Sequence, residues 1–180
     1  RKFDYENYLC TLLINEDDAR RSAFAFRALN AEVSRIPLVA SDNKIALMRL
    51  NFWEETISKI FNKNSKKPAP KGHPVVEELV LAMNRSKFTK RYFERIINSR
   101  KIANINFLSL KQMEQYAEDT VSTVNYLVLE ALNCRNTHAD HAASHLGKAQ
   151  GITNLLRSIY SQKSNQHLPI PQELLIKVRI

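Results

Sequence analysis

Asn15-Glu16-Asp17-Asp18-Ala19-Arg20-Arg21-Ser22-Ala23-Phe24-Ala25-Phe26-Arg27-Ala28-Leu29-Asn30-Ala31-Glu32-Val33-Ser34-Arg35-Ile36-Pro37 is the stretch on which the fold turns. Phe26, Leu29, Val33 and Ile36 recur three or four residues apart, the spacing that lines up side chains on one face of an α-helix. Asn15 suits an N-cap, and Glu16, Asp17 and Asp18 place negative charge where the helix dipole favours it. Pro37 closes the pattern. The reading is one amphipathic helix of roughly five turns.

The same period runs outward in both directions. A second helix is expected from about Ser41 to Phe61, with Ile45, Met48, Phe52, Ile57 and Ile60 inward and Trp53 in the core. A run rich in lysine and proline follows from Lys63 to Pro74 and reads as a linker; Pro74 suits the first position of a short helix. Phe88, Tyr92, Phe93, Ile96 and Ile97 form the apolar face of another segment. Ser109 and Gln112 make a capping box in front of a long helix striped by Met113, Ala117, Thr120, Val124, Leu127 and Ala131. Thr137 is placed as the N-cap of a last long helix to Ser161, ended by His167-Leu168-Pro169. No segment alternates like a strand, and no repeat of solenoid length occurs. The class is all-α.

Composition agrees. The chain has 180 residues and only 3 glycines, which together with regular Leu, Ile and Ala argues against sandwiches, barrels and glycine-rich nucleotide loops. No stretch approaches the ~20 apolar residues of a membrane span. Two cysteines in no paired spacing, Cys10 and Cys134, indicate neither a disulfide framework nor a thiolate zinc site. The net charge of +9 is concentrated: residues 63–101 hold eleven Lys and Arg against three acids. Lys66, Lys67, Lys71, Lys87, Lys90, Arg91 and Arg95 are the candidates for contact with an anionic surface. Nucleic acid is disfavoured as the partner, because that segment lacks interleaved stacking aromatics and a recognition-helix pattern.

Other constellations are weaker. His138, His141 and His145 fall on one helix face, and the four-residue spacing is one that zinc helices use, but no catalytic Glu or fourth ligand accompanies them. Interhelical or capping hydrogen bonds are the plainer role. Cys134 beside His138 lacks an oxyanion-hole signature and a third group. No cofactor is indicated.

One set of motifs is more specific. Leu146-Gly147-Lys148-Ala149-Gln150-Gly151-Ile152-Thr153-Asn154-Leu155-Leu156-Arg157-Ser158, followed by His167-Leu168-Pro169, resembles the second aspartate-rich segment of the squalene and phytoene synthases. Phe26 to Ser34 resembles the family's first such helix, Arg49 to Trp53 its R-L-x-x-W, and His73-Pro74-Val75 its H-P-V. The resemblance covers nearly the whole chain. It implies an isoprenoid-synthase-type helical bundle around a central cavity, with residues 1–180 forming one domain, roughly the N-terminal two-thirds of the full fold.

The departures bear on function. In the enzymes the resemblance points to, aspartates on two facing helices hold magnesium ions that neutralise a diphosphate leaving group. Here Asn30, Ala31 and Ser34 stand in the first segment and Ser158, Ser161 and Gln162 in the second, and the retained Glu32 does not match a ligand position. Arg27, Asn154 and Arg157 remain at matching positions, able to hold a phosphate or headgroup without metal. An active prenyl-diphosphate transferase with unconventional ligands is the alternative. The run His138 to Gly151, with Asp4 to Cys10 and Tyr116 to Thr120, is similar to a branch of the superfamily that has lost its aspartates and serves as mitochondrial assembly factors of respiratory complex I. That likeness implies a non-catalytic protein on the matrix side of the inner membrane. Its implied partners are complex I subunits, other assembly factors and an anionic lipid surface.

Overall fold

A computed structural model describes residues 4–62, 69–101, 106–161 and 169–178, with only the backbone for Tyr160 and Ser161. The order is α1 Tyr5–Leu12, α2 Asp17–Val39, α3 Asn43–Phe61, α4 Pro74–Arg85, α5 Lys90–Asn98 and α6 Leu110–Ala117, then a π-helical turn, Glu118–Ser122, that runs into α7 Thr123–Ala131, and finally α8 Thr137–Ser161 and α9 Gln172–Val178. No strand occurs among the described residues.

Helix α2 is the axis of the bundle and packs on α1, α3, α4, α5 and α7. Its stripe is the expected one: Phe26, Leu29 and Val33 are fully buried and Ile36 nearly so. Phe26 meets Phe88 and Phe93 edge-on, at ring separations of 4.9 and 5.6 Å, a geometry aromatic pairs favour. Each such fully buried side chain contributes about 2–3 kcal/mol of transfer free energy. Two ends differ from expectation. The N-cap is Glu16 rather than Asn15, and it caps with no side-chain bond; Arg20 instead ties this start by donating to the Ile14 carbonyl at 2.7 Å. Pro37 lies inside the last turn, which continues to Val39: a proline that close to the C-terminus removes one bond without ending the coil.

Asp42 caps α3, accepting from the Lys44 amide at 3.3 Å, two residues later than the expected start. Its inward face is Leu50, Trp53, Thr56 and Ile57, with Ile60 packed against the core and Ile45 partly buried. Met48 and Phe52, expected inside, are 70% and 42% exposed. Trp53 sits in the core, edge-on to His73 at 5.1 Å. Of the predicted linker, residues 63–68 lie outside the described residues; Gly72 then takes a left-handed φ of 84° and donates its amide to Glu77 at 2.9 Å, leading into Pro74 at the start of α4.

The long helix after Ser109 exists with its predicted stripe buried from Met113 to Leu127 and Ala131 only partly so, but it is interrupted by the π turn, around which Thr120, Ser122, Thr123 and Val124 are all inside. The capping box is shifted by one: Ser109 accepts from the Gln112 amide, and Gln112 reaches back to Leu108. Helix α8 lies against this turn. Gly147 and Gly151 permit the approach, since a Cβ at Gly147 would sit 2.5 Å from Ser122 Cα and one at Gly151 2.5 Å from Ala117 Cβ. Asn136 caps α8, accepting from the His138 and Ala139 amides at 2.8 and 3.4 Å; Thr137 is already the first helical residue. His167-Leu168 lie outside the described residues. Helices α1 and α9 are short, and the α9 start is held by the Gln172 amide donating to the Phe107 carbonyl at 2.9 Å.

Candidate functional site

Turning α2 by a third of a revolution from its core stripe brings up Arg27, Asn30, Ala31 and Ser34, again three or four residues apart. Gly151, Asn154, Leu155 and Ser158 repeat that spacing on α8. The two rows line one cleft of about 490 Å³, closed by Asp4, Glu6 and Asn7 from the α1 side, by Tyr116, Thr120, Val121, Val124 and Asn125 from the α6–α7 segment, and by Arg100 just beyond α5. The sequence places Arg27, Asn30, Ala31, Ser34, Asn154, Arg157 and Ser158 at matching motif positions, and all seven meet here. Gln162 and the Ser161 side chain lie outside the described residues.

Arg100 is the residue that sequence reasoning missed as part of a site. It is 7% exposed, and it donates to the Ile96 carbonyl at 2.8 Å and to Asn30 Oδ1 at 2.8 Å. Its Nε is buried without a hydrogen-bond partner, and so is that of Arg27. Burial pushes both guanidinium groups below their ordinary values, opposed at Arg27 chiefly by the charge of Asp4. No carboxylate among the described residues forms an ion pair with either. At the mouth, Arg157 pairs with Glu6 at 3.1 Å, and Gln150 donates to Asn7 at 3.1 Å.

The donor set does not fit a magnesium ion. Asn30, Ala31, Ser34 and Ser158 supply no carboxylate, and among the described residues no three His, Cys, Asp or Glu side chains converge to hold a metal. Magnesium surrenders its hydration only to hard, charged oxygens in octahedral array. Arg100, buried, and Arg27, partly buried, line the same cleft and oppose it further.

Elsewhere the predicted residues scatter. His138, His141 and His145 are exposed along α8 and do not close into a site. Cys134 borders a second hollow of about 510 Å³ with Tyr92, Tyr126, Glu130 and Asp140, but His138 is not part of its wall. Of the basic candidates, Lys66 and Lys67 lie outside the described residues, while Lys71, Lys87 and Arg91 are exposed. Lys90 pairs with Glu94 at 3.0 Å along α5. Arg95 turns inward, partly buried, to Asp119 at 2.6 Å and Glu118 at 3.7 Å. There it joins Tyr126 and Ser144, which donate to Glu118 at 2.6 and 2.8 Å, in a polar cluster that fastens α5, the π turn, α7 and α8 together.

A sequence model described as "Squalene/phytoene synthase" matches residues 1–180. Among curated proteins the chain is 44% identical over 177 residues to a Drosophila melanogaster protein named "NADH dehydrogenase (ubiquinone) complex I, assembly factor 6 homolog", covering 97% of this chain and 53% of that one. It is 41% identical over 176 residues to the Bos taurus "NADH dehydrogenase (ubiquinone) complex I, assembly factor 6", covering 97% and 51%. The Dictyostelium discoideum homolog is 35% identical over 180 residues, covering 98% and 49%. The chain thus spans about half the length of the curated relatives it matches. Matched along its whole length, with the rows from α2 and α8 that carry the resemblance facing one cleft, this chain belongs to the squalene/phytoene synthase family.

Proposed function

We propose that the chain is a non-catalytic member of its family that takes part in assembling respiratory complex I in mitochondria, working by binding protein or lipid on the matrix side of the inner membrane. The observation that carries this reading is the cleft: neutral Asn30, Ala31, Ser34 and Ser158 stand where a metal clamp needs carboxylates, and arginines face them. Ionising an allylic diphosphate without that clamp forfeits several kcal/mol of charge stabilisation, at about 1.4 kcal/mol per tenfold in rate. The relatives named as assembly factors of complex I supply the role, and complex I subunits or other assembly factors are its protein partners. Exposed Lys71, Lys87 and Arg91 suit an anionic lipid surface.

The test is to incubate the full-length protein with farnesyl and geranylgeranyl diphosphate plus magnesium and to score diphosphate release against a no-protein control. The expected result is release at the control rate. Magnesium-dependent turnover overturns the reading and establishes a prenyl-diphosphate transferase with other metal ligands.

A further inference from the structure

We propose that the corner where α2 turns into α3 is the part of the molecule that enters an anionic bilayer, its exposed apolar side chains passing into the headgroup region while the cations around them meet lipid phosphates. This rests on the lipid-binding reading above and names the residues that make the contact.

The corner stands out by what it exposes. Leu38 and Val39 lie in the last turn of α2 and are 75% and 54% exposed; Leu47, Met48 and Phe52 stand on the outer side of α3, with Met48 at 70%. Only residues 40–42 separate the two helices, which pack on each other, so five large apolar side chains gather at one end of the bundle. A cluster of that kind is unfavourable in water and favourable in an apolar surrounding. Phe52 is also braced, its ring edge-on to the buried Trp53 at 5.7 Å, so little side-chain freedom is left to lose on contact.

Charge selects the occupant. From Leu38 to Trp53 the only carboxylate is Asp42, which already accepts from the Lys44 amide. The next acids along α3 are paired, Glu54 with Lys101 at 2.7 Å and Glu55 with Lys59 at 3.5 Å. Lys44 and Arg49, by contrast, are exposed and form no ion pair among the described residues. Lys71 joins them. His73 lies 3.6 Å from Glu32 and edge-on to Trp53, which holds the start of α4 beside this end of α2 and α3, and Lys71 two residues earlier is exposed and equally unpaired. Apolar side chains among unengaged cations are what a surface needs to lie in an interface whose phosphates are negative. The apolar face of α1 lacks this: Tyr5 and Leu9 are exposed there beside Asp4 and Glu6, charges that an anionic leaflet repels.

The experiment is co-sedimentation of the full-length protein with vesicles of phosphatidylcholine mixed with cardiolipin and with vesicles of phosphatidylcholine alone. The parent is expected to bind the cardiolipin vesicles about tenfold more tightly than the neutral ones or better. Leu38→Glu/Met48→Glu, at positions too exposed to disturb the core, is expected to weaken that binding by about tenfold or more. Lys44→Gln/Arg49→Gln should weaken it too and leave it less sensitive to salt. Leu146→Glu, at a position on α8 that is 64% exposed, should leave it unchanged. The proposal is overturned by undiminished binding in either double variant, by an equal loss in Leu146→Glu, or by a parent that binds neither vesicle. Light scattering without vesicles adds one more such outcome: a dimer that Leu38→Glu/Met48→Glu dissociates would assign the corner to a second copy of the chain. Cardiolipin binding that survives both double variants strikes only the address on α2 and α3 and leaves the lipid reading standing, whereas no binding by the parent removes lipid contact from both.

Discussion

The two faces of α2 are made from one continuous stretch of sequence and obey different rules. On one, Phe26, Leu29, Val33 and Ile36 vanish into the core; on the other, one residue further round, Arg27, Asn30, Ala31 and Ser34 line the cleft. The first face is held by area and shape, so any loss of volume is felt at once. The second carries no packing role at Ser34, which is exposed and, among the described residues, donates only to the Ala31 carbonyl, at 2.9 Å. Its chemistry is free to change while the fold stays, because no core contact depends on it.

Substitutions along this divide should separate by magnitude. Phe26→Ala removes a ring that touches Phe88 and Phe93 and leaves a cavity; a loss of about 3–5 kcal/mol is expected in denaturant unfolding. On the helix across the cleft, Gly147→Ala gains about 1 kcal/mol of helix propensity. It must also push α8 off Ser122, whose backbone nitrogen would lie 2.6 Å from the new Cβ. Overpacking of this kind costs about 1–3 kcal/mol or more, so a net drop in melting temperature is expected, and a rise would mean that the two helices can slide apart freely.

A third substitution probes the polar cluster behind the cleft. Burial pulls the Glu118 carboxyl up, but hydrogen bonds from Tyr126, Ser122 and Ser144 and the charge of Arg95 outweigh it and leave the group below its ordinary 4.5. A carboxylate depressed in the folded state contributes stability that is fully present above its unfolded value and lost as pH falls through the folded one. Glu118→Gln should therefore cost about 1–3 kcal/mol at neutral pH and flatten the acid limb of a stability profile below about pH 4.5; an unchanged acid limb would show that other carboxylates govern it. The partner hydroxyl of Tyr126 is pushed up to about 12, first by burial and then by its bond to Glu118, so it stays neutral throughout. Smallest of all, Ser34→Ala should stay within about 0.5 kcal/mol of the parent, confirming by melting temperature that the cleft face of α2 is spared a packing role.

Much of this was legible from the chain, and the exceptions have physical reasons. The α2 stripe could be read because its apolar residues occupy one arc. On α3, Ile45, Leu47, Met48, Leu50, Phe52 and Trp53 spread around the helix, so period alone does not choose the inward arc; the neighbours do, and they chose Leu50 and Trp53 over Met48 and Phe52. Seven cleft residues were found because each sits at a motif position. Arg100 was not, since its role depends on Asn30, a partner 70 residues away, and a single arginine after Ile96 and Ile97 carries no local mark of burial. Caps shifted by one residue, as at Asn136, because neighbouring polar side chains compete for the same amides.

The π turn at Glu118–Ser122 holds one residue more than an α-helical turn would. Removing any single residue from it would leave an ordinary helix with good local geometry, yet everything after it would swing by about 100°. Val124 and Leu127, now in the core, would rotate toward the side, and Val121 and Asn125 would leave the cleft wall. For these five positions the length of the segment matters more than the letters in it: substitution can be absorbed, whereas a one-residue deletion would rewrite both the core and the cleft together.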